Sequence, residues 1–108
     1  MGNIVQVLTF RAYGVPQEQL ARQSDIVALA ISEFPGLIGG QKLTDPKRHL
    51  VGGVCVWRDQ ESLDRFRHSE LYARMMMNPS LEEGVDRSFD MDTIDCGDEY
   101  LQEVALAA

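Results

Sequence analysis

Among the 108 residues of this chain, His68 and Tyr72 are the side chains best suited to move a proton. A neutral imidazole titrates near neutral pH and can take a proton from a phenol or an activated C–H. Tyr72 lies four residues further on, so it shares a face with His68 if the helix is continuous. Its hydroxyl could donate to a developing enolate oxygen, and Arg65 could do the same. The alternative for His68 is a plain cap at a helix C-terminus, where the dipole favours a cation. Trp57, Phe34, Phe66, Met75 and Met76 offer apolar surface for a flat aromatic ligand, and thioethers adapt their shape to one. Those same residues serve equally well as core and dimer packing.

Other candidates read as structural. His49 opens a strand beside the basic turn Lys47-Arg48 and is expected in solvent. The two histidines are too few, and too far apart in the pattern, to make a metal site with cysteine. Asp90, Asp92, Asp95 and Asp98 lack the glycine and terminal Glu of a calcium loop, and read as a solvated strand face and an acidic tail. Cys55 lies mid-strand among apolar neighbours and is expected to be inert. No HExxH, Walker loop, GxSxG or GxGxxG is present, so neither metal, flavin nor nicotinamide is expected.

Composition narrows the class. Apolar residues make up 44% and charged residues 25%, values that suit one folded domain over 1–108, with residues 96–108 as a C-terminal tail. The net charge of −7 argues against nucleic-acid binding. Residues 80–108 hold nine acids and one base, whereas 1–79 are nearly balanced. No apolar run approaches a membrane span, and MGNIVQV lacks the basic-then-apolar pattern of a signal peptide. Cys55 and Cys96 are isolated, which suits a reducing cytoplasm.

The elements that must hold these residues follow from periodicity. Residues 3–11 read as a strand apolar on both faces. Pro16 opens a helix over about 16–34, closed by Pro35-Gly36. Strands over 37–45 and 49–58 flank the Asp45-Pro46 turn, and Gly52-Gly53 predicts a bulge or a close backbone approach. Asp59 caps a helix running to about Arg67, and Ser69 caps a second over ELYARMMM. Asn78-Pro79 predicts a further short helix ending before Gly84. Residues 85–94 alternate, with Val85, Arg87, Phe89, Met91 and Thr93 on one face and Asp86, Ser88, Asp90 and Asp92 on the other, as in a half-exposed strand. The tail GDEYLQEVALAA is expected to form a short docked helix.

The order β-α-β-β-α-β predicts an α+β, ferredoxin-like domain with helices on one face of an antiparallel sheet. Strands 1 and 3 remain apolar on the second face, which predicts a homodimer packed sheet to sheet.

Four stretches carry a resemblance: Phe34-Pro35-Gly36-Leu37, Gly52-Gly53-Val54-Cys55-Val56-Trp57 with Asp59-Gln60-Glu61-Ser62, Arg67-His68-Ser69, and Gly84 to Asp90. Together they resemble the YdhR-like mono-oxygenases of the dimeric α+β barrel superfamily, which also holds the antibiotic-biosynthesis mono-oxygenases. The resemblance implies a barrel made of two sheets, a pocket between sheet and helices in each protomer, and a His at the position of His68. It also implies a cofactor-independent mono-oxygenase acting on a small aromatic or polycyclic phenolic substrate. The alternatives are a non-oxidative isomerase or cyclase, or a non-enzymatic dimer that binds a small molecule.

Overall fold

The computed structural model describes residues 2–91. The expected tail helix over 97–108, Cys96 and the three aspartates after Asp90 lie outside the described residues. The strands are β1 (Asn3–Arg11), β2 (Leu37–Asp45), β3 (Leu50–Trp57) and β4 (Glu82–Met91). The helices are α1 (Gln17–Ser32), α2 (Gln60–Arg67) and α3 (Glu70–Met76), and a 3-10 turn (Pro46–Arg48) joins β2 to β3. All strand pairs are antiparallel and the sheet order is β2-β3-β1-β4, the ferredoxin-like α+β arrangement. No helix among the described residues is long and apolar enough to cross a membrane.

The helices begin where side chains satisfy free N–H groups. Asp59 Oδ1 accepts from Ser62 N at 2.9 Å and from Ser62 Oγ at 2.7 Å, starting α2. Ser69 Oγ accepts from Tyr72 N at 3.1 Å and donates to Phe66 O at 2.6 Å, so the α2–α3 corner is closed from both sides. Pro16 precedes α1 with no side-chain cap.

β1 sets the inner face of the sheet. Ile4, Gln6, Leu8 and Phe10 are buried, and alternate with half-buried Val5, Val7 and Thr9. Residues directly opposite share a face, so the inner set continues through Trp57, Cys55, Gly53 and Val51 on β3. Trp57, Leu63 and Phe66 are completely buried and form the densest part of the core. Full burial of such side chains stabilises the fold by about 1.5–3 kcal/mol each. The opposite face carries Val5, Val7, Val54 and Val56, with Val85, Phe89 and Met91 exposed on β4.

Two expectations are corrected, and the alternative left open at Gly52-Gly53 is decided. Residues 78–81 form a turn rather than a short helix, and β4 begins at Glu82, with Gly84 inside the strand. The β1–β4 register shifts between Thr9 and Arg11, where Glu83 takes φ 51°, so a bulge admits the extra residue. Arg11 Nε lies 2.7 Å from Glu83 Oε2 at this bulge. The bulge of the β2–β3 pair lies between Leu37 and Gly39 and not at Gly52-Gly53, which instead meets the second expectation of a close approach. A Cβ on Gly52 would sit 1.9 Å from Leu8 O. Finally, His49 ends the 3-10 turn with φ 58° rather than opening β3, and its ring stands 5.0 Å from that of Tyr13.

Gly36 holds the end of the α1 connection against α2. Its φ is 89°, and a Cβ there would lie 2.0 Å from Ser62 Oγ. Gly36→Ala should therefore lower stability by about 1–3 kcal/mol, read as a fall in the thermal midpoint. A midpoint equal to the parent's would refute the close fit.

Candidate functional site

The inner face of the sheet is covered in two different ways. Over the β1–β3–β4 end, α2 and α3 pack directly on the sheet. Phe66 lies 5.3 Å from each of Trp57, Phe34 and Tyr72, stacked on the first and edge-on to the other two. Over β2 and the far half of β3, α1 stands off. No α1 residue is fully buried, and a cavity of about 610 Å³ separates it from the sheet.

Leu8, Phe10 and Val51 floor this cavity, Leu20, Val27 and Ile31 of α1 roof it, and Leu71 and Met75 of α3 close one side. Its inner polar groups are Ser24, Cys55 and Asn78, all half-buried; Gln23, Lys42 and Arg74 are exposed at its rim. Among the described residues, no His, Asp or Glu lines it. Asn78 Oδ1 accepts from Ser80 N at 2.9 Å, which commits its carbonyl oxygen and leaves the amide hydrogens as donors. Burial, and then the Asp86 charge, push the Cys55 thiol up, as its mid-strand position leads one to expect.

Beside the cavity lies a polar cluster centred on Asp86. Its carboxylate accepts Arg67 Nη2 at 2.8 Å and Nε at 3.0 Å, Tyr72 OH at 2.5 Å and Gln6 Nε2 at 3.1 Å. Gln6 is fully buried and in turn accepts Trp57 Nε1 at 3.0 Å. Burial pushes the Asp86 carboxyl up, but the bonds from Arg67, Tyr72 and Gln6 outweigh it and hold the group below the usual carboxylate range. Tyr72 is pushed up to about 12, first by burial and then by its bond to Asp86 and that group's charge. Asp86 raises Arg67 as well, through their hydrogen bonds.

The residues expected to act are thus dispersed. His68 is exposed at the end of α2, its Nδ1 2.7 Å from Asp64 O, and it does not line the cavity. Tyr72 is one helix away, tied to Asp86. Trp57, Phe34 and Phe66 form the aromatic core next to the cavity rather than its wall, whereas Met75 does line it. Met76 is 38% exposed, and Arg65 is an exposed ion-pair partner of Glu61 at 2.7 Å. Reading β4 as a solvated acidic face overlooked Asp86. Gln6 in the middle of an apolar strand was the available signal, because a buried amide requires a polar partner across the ladder.

No protein-family model matches the sequence, and no curated protein sequence matches it. Solved structures match in fold. One is SnoaB, a cofactor-independent oxygenase from Streptomyces nogalater, at 16% identity and a TM-score of 0.71, covering 88% of this chain and 98% of that one. PA3566 from Pseudomonas aeruginosa matches at 18% identity and a TM-score of 0.69 over 86% and 97% of the two chains. Rv0793 from Mycobacterium tuberculosis gives 12%, 0.69, 87% and 99% for the same measures. The chain shares the protomer fold of these proteins, and nothing in the likeness singles out the YdhR-like branch.

The Asp86 cluster sets a pH dependence. Its lowered folded value gives stability that is full above the ordinary carboxylate pKa of about 4 and is lost on acidification through the folded value. The raised value of Tyr72 gives stability that is full below about pH 10 and fades as pH rises toward 12. In an ultraviolet titration, Tyr72→Phe should remove the last tyrosinate step, and Asp86→Asn should move that step part of the way back to its ordinary value. Asp86→Asn should also lower stability by about 1.5–3 kcal/mol by denaturant titration, the worth of hydrogen bonds to a charged group.

Proposed function

We infer that the cavity under α1 binds a small, largely apolar aromatic molecule, and that the protein oxidises it with O2 without a cofactor. The cavity carries this reading: about 610 Å³, an apolar floor and roof, and a few convergent polar groups, which is the composition of a small-molecule site. SnoaB, a cofactor-independent oxygenase with the same protomer fold, supports the reaction class.

In this reading the substrate is a polycyclic phenol that supplies its own reducing power. It loses a proton to solvent, and the phenolate or enolate passes an electron to O2. The radicals combine, the peroxide anion regains a proton from solvent, and loss of water leaves a new carbonyl. One oxygen atom enters the product and the other leaves as water. The protein's part is to keep the site dry and to steady the anion. The amide of Asn78 and the hydroxyl of Ser24 are the donors for the oxyanion, with Lys42 and Arg74 lending positive potential at the rim. Tyr72 serves as a tether for α3, since its proton is committed to Asp86. His68, held outside by Asp64 O, caps α2 and meets substrate only on entry. Among the described residues the cavity has no carboxylate or imidazole, which favours a second reading, binding without turnover.

The protein works as a homodimer in this reading. Val85, Phe89 and Met91 are 43%, 53% and 46% exposed, continuous with Val5, Val7, Val54 and Val56 on the outer face. A second copy packed sheet to sheet would cover this face, and contiguous exposed apolar patches mark such interaction surfaces. Light scattering should give twice the 12.1 kDa chain mass, and Phe89→Glu should reduce it to one chain. A parent mass of one chain would overturn the dimer.

The oxygenase is tested with a stable phenolic anthrone, following O2 uptake and the entry of heavy-isotope O2 into product. The parent should consume O2 and label the product, and Ser24→Trp, which places an indole inside the cavity, should abolish both while the circular-dichroism spectrum stays. Asn78→Ala should lower turnover about 100- to 1,000-fold, the usual cost of an oxyanion donor. Retained binding with no O2 uptake would decide for the binding reading.

A further inference from the structure

α1 differs from the other helices in how it is held. α2 buries Ser62, Leu63 and Phe66, and α3 buries Met75, whereas α1 buries no residue. Its two ends are unequal. At the C-terminal end, Val27, Ile31 and Phe34 pack against the core, and Phe34 meets Phe66 edge-on. Just beyond, Gly36 is seated against Ser62, and its carbonyl accepts Arg58 N at 2.7 Å. At the N-terminal end, Leu20 and Ser24 line the cavity and are not among the residues packed against the core. The segment before it runs through Gly14, at φ 71° with open space where a Cβ would point, and through Pro16, exposed and without a side-chain cap.

A single side-chain tie joins α1 to another element among the described residues: the ion pair of Asp25 with Lys42 of β2, at the cavity rim. Both partners are more than half exposed, so the tie is weak and reversible.

We propose that α1 is a door over this cavity, hinged at its C-terminal end and latched by the Asp25–Lys42 pair. The N-terminal half swings away from the sheet to admit a ligand and closes over it. This builds on the reading of the cavity as a ligand site. The geometry fits: a helix with one fixed end and one free end pivots about the fixed end, and Gly14 accommodates the turn on the free side. The roof residues nearest the free end, Leu20 and Ser24, would move furthest, widening the mouth between Gln23 and Lys42 without disturbing the Trp57–Phe66 core.

Two measurements test the door. The first is amide hydrogen exchange on the unliganded protein. Residues 21–24 should exchange at least about tenfold faster than residues 28–32, although both sets are inside the helix. Equal rates would overturn the hinge. The second is stopped-flow fluorescence with N-phenyl-1-naphthylamine, an uncharged apolar probe insensitive to the latch charges themselves. Lys42→Glu, which sets two like charges at the latch, should speed both association and release by at least about threefold. The charge-exchanged double variant Asp25→Lys/Lys42→Asp should restore the parent rates. Unchanged rates in Lys42→Glu, or no rescue by the exchange, would overturn the latch. A parent that binds no probe would sink the ligand-site reading and the door with it, whereas binding with uniform exchange along α1 would sink the door alone.

Discussion

The carboxylate of Asp86 is the constraint around which the helix side of this protein is organised. A charge on the inner face of a sheet is costly unless its oxygens are fully engaged. Here four donors engage them, and each comes from a different part of the structure or fixes a different direction. Gln6 ties Asp86 to the central strand, Arg67 to the end of α2, and Tyr72 to the first turns of α3. Gln6 in turn takes the indole N–H of Trp57, so the largest buried side chain is oriented by the same cluster. Moving any one of these groups would leave a buried polar atom unpaired, and among the described side chains there are none.

This arrangement explains why the aromatic residues pack where they do. With Trp57 held by Gln6, Phe66 can stack on it, and Phe34 and Tyr72 meet Phe66 edge-on. The α2–α3 corner, closed by Ser69, thereby becomes a rigid wall. Leu71 and Met75, on either side of Tyr72 along α3, present the edge of that wall to the cavity. The rigid half of the molecule thus frames the open half, and α1 is left as the element with the least to hold it down.

The outer face follows from the same strand alternation. With Asp86 drawn inward, Val85 and the aromatic and thioether groups of β4 must turn outward, next to the valines of β1 and β3. An inward carboxylate and an outward apolar face are therefore one feature of the register, because shifting β4 by one residue would exchange them.

Local chemistry made much of this legible in the sequence. The limits of β1 and β2, the caps Asp59 and Ser69, the break at Pro35-Gly36 and the order of elements depend on periodicity, capping and backbone freedom, all of which act within a few residues. The two apolar faces of β1 were equally visible, since alternation along a strand is a local property. The direction of β4 was not. An alternating strand states that its two faces differ, but which face meets the helices depends on partners far along the chain, and here Gln6 and Arg67 decided it. The same holds for the site. His68 and Tyr72 are four residues apart, yet the break after Arg67 sends one to Asp64 O and the other to Asp86. The cavity itself is an absence of packing between α1 and the sheet, a relation between distant surfaces that only the tertiary structure could create.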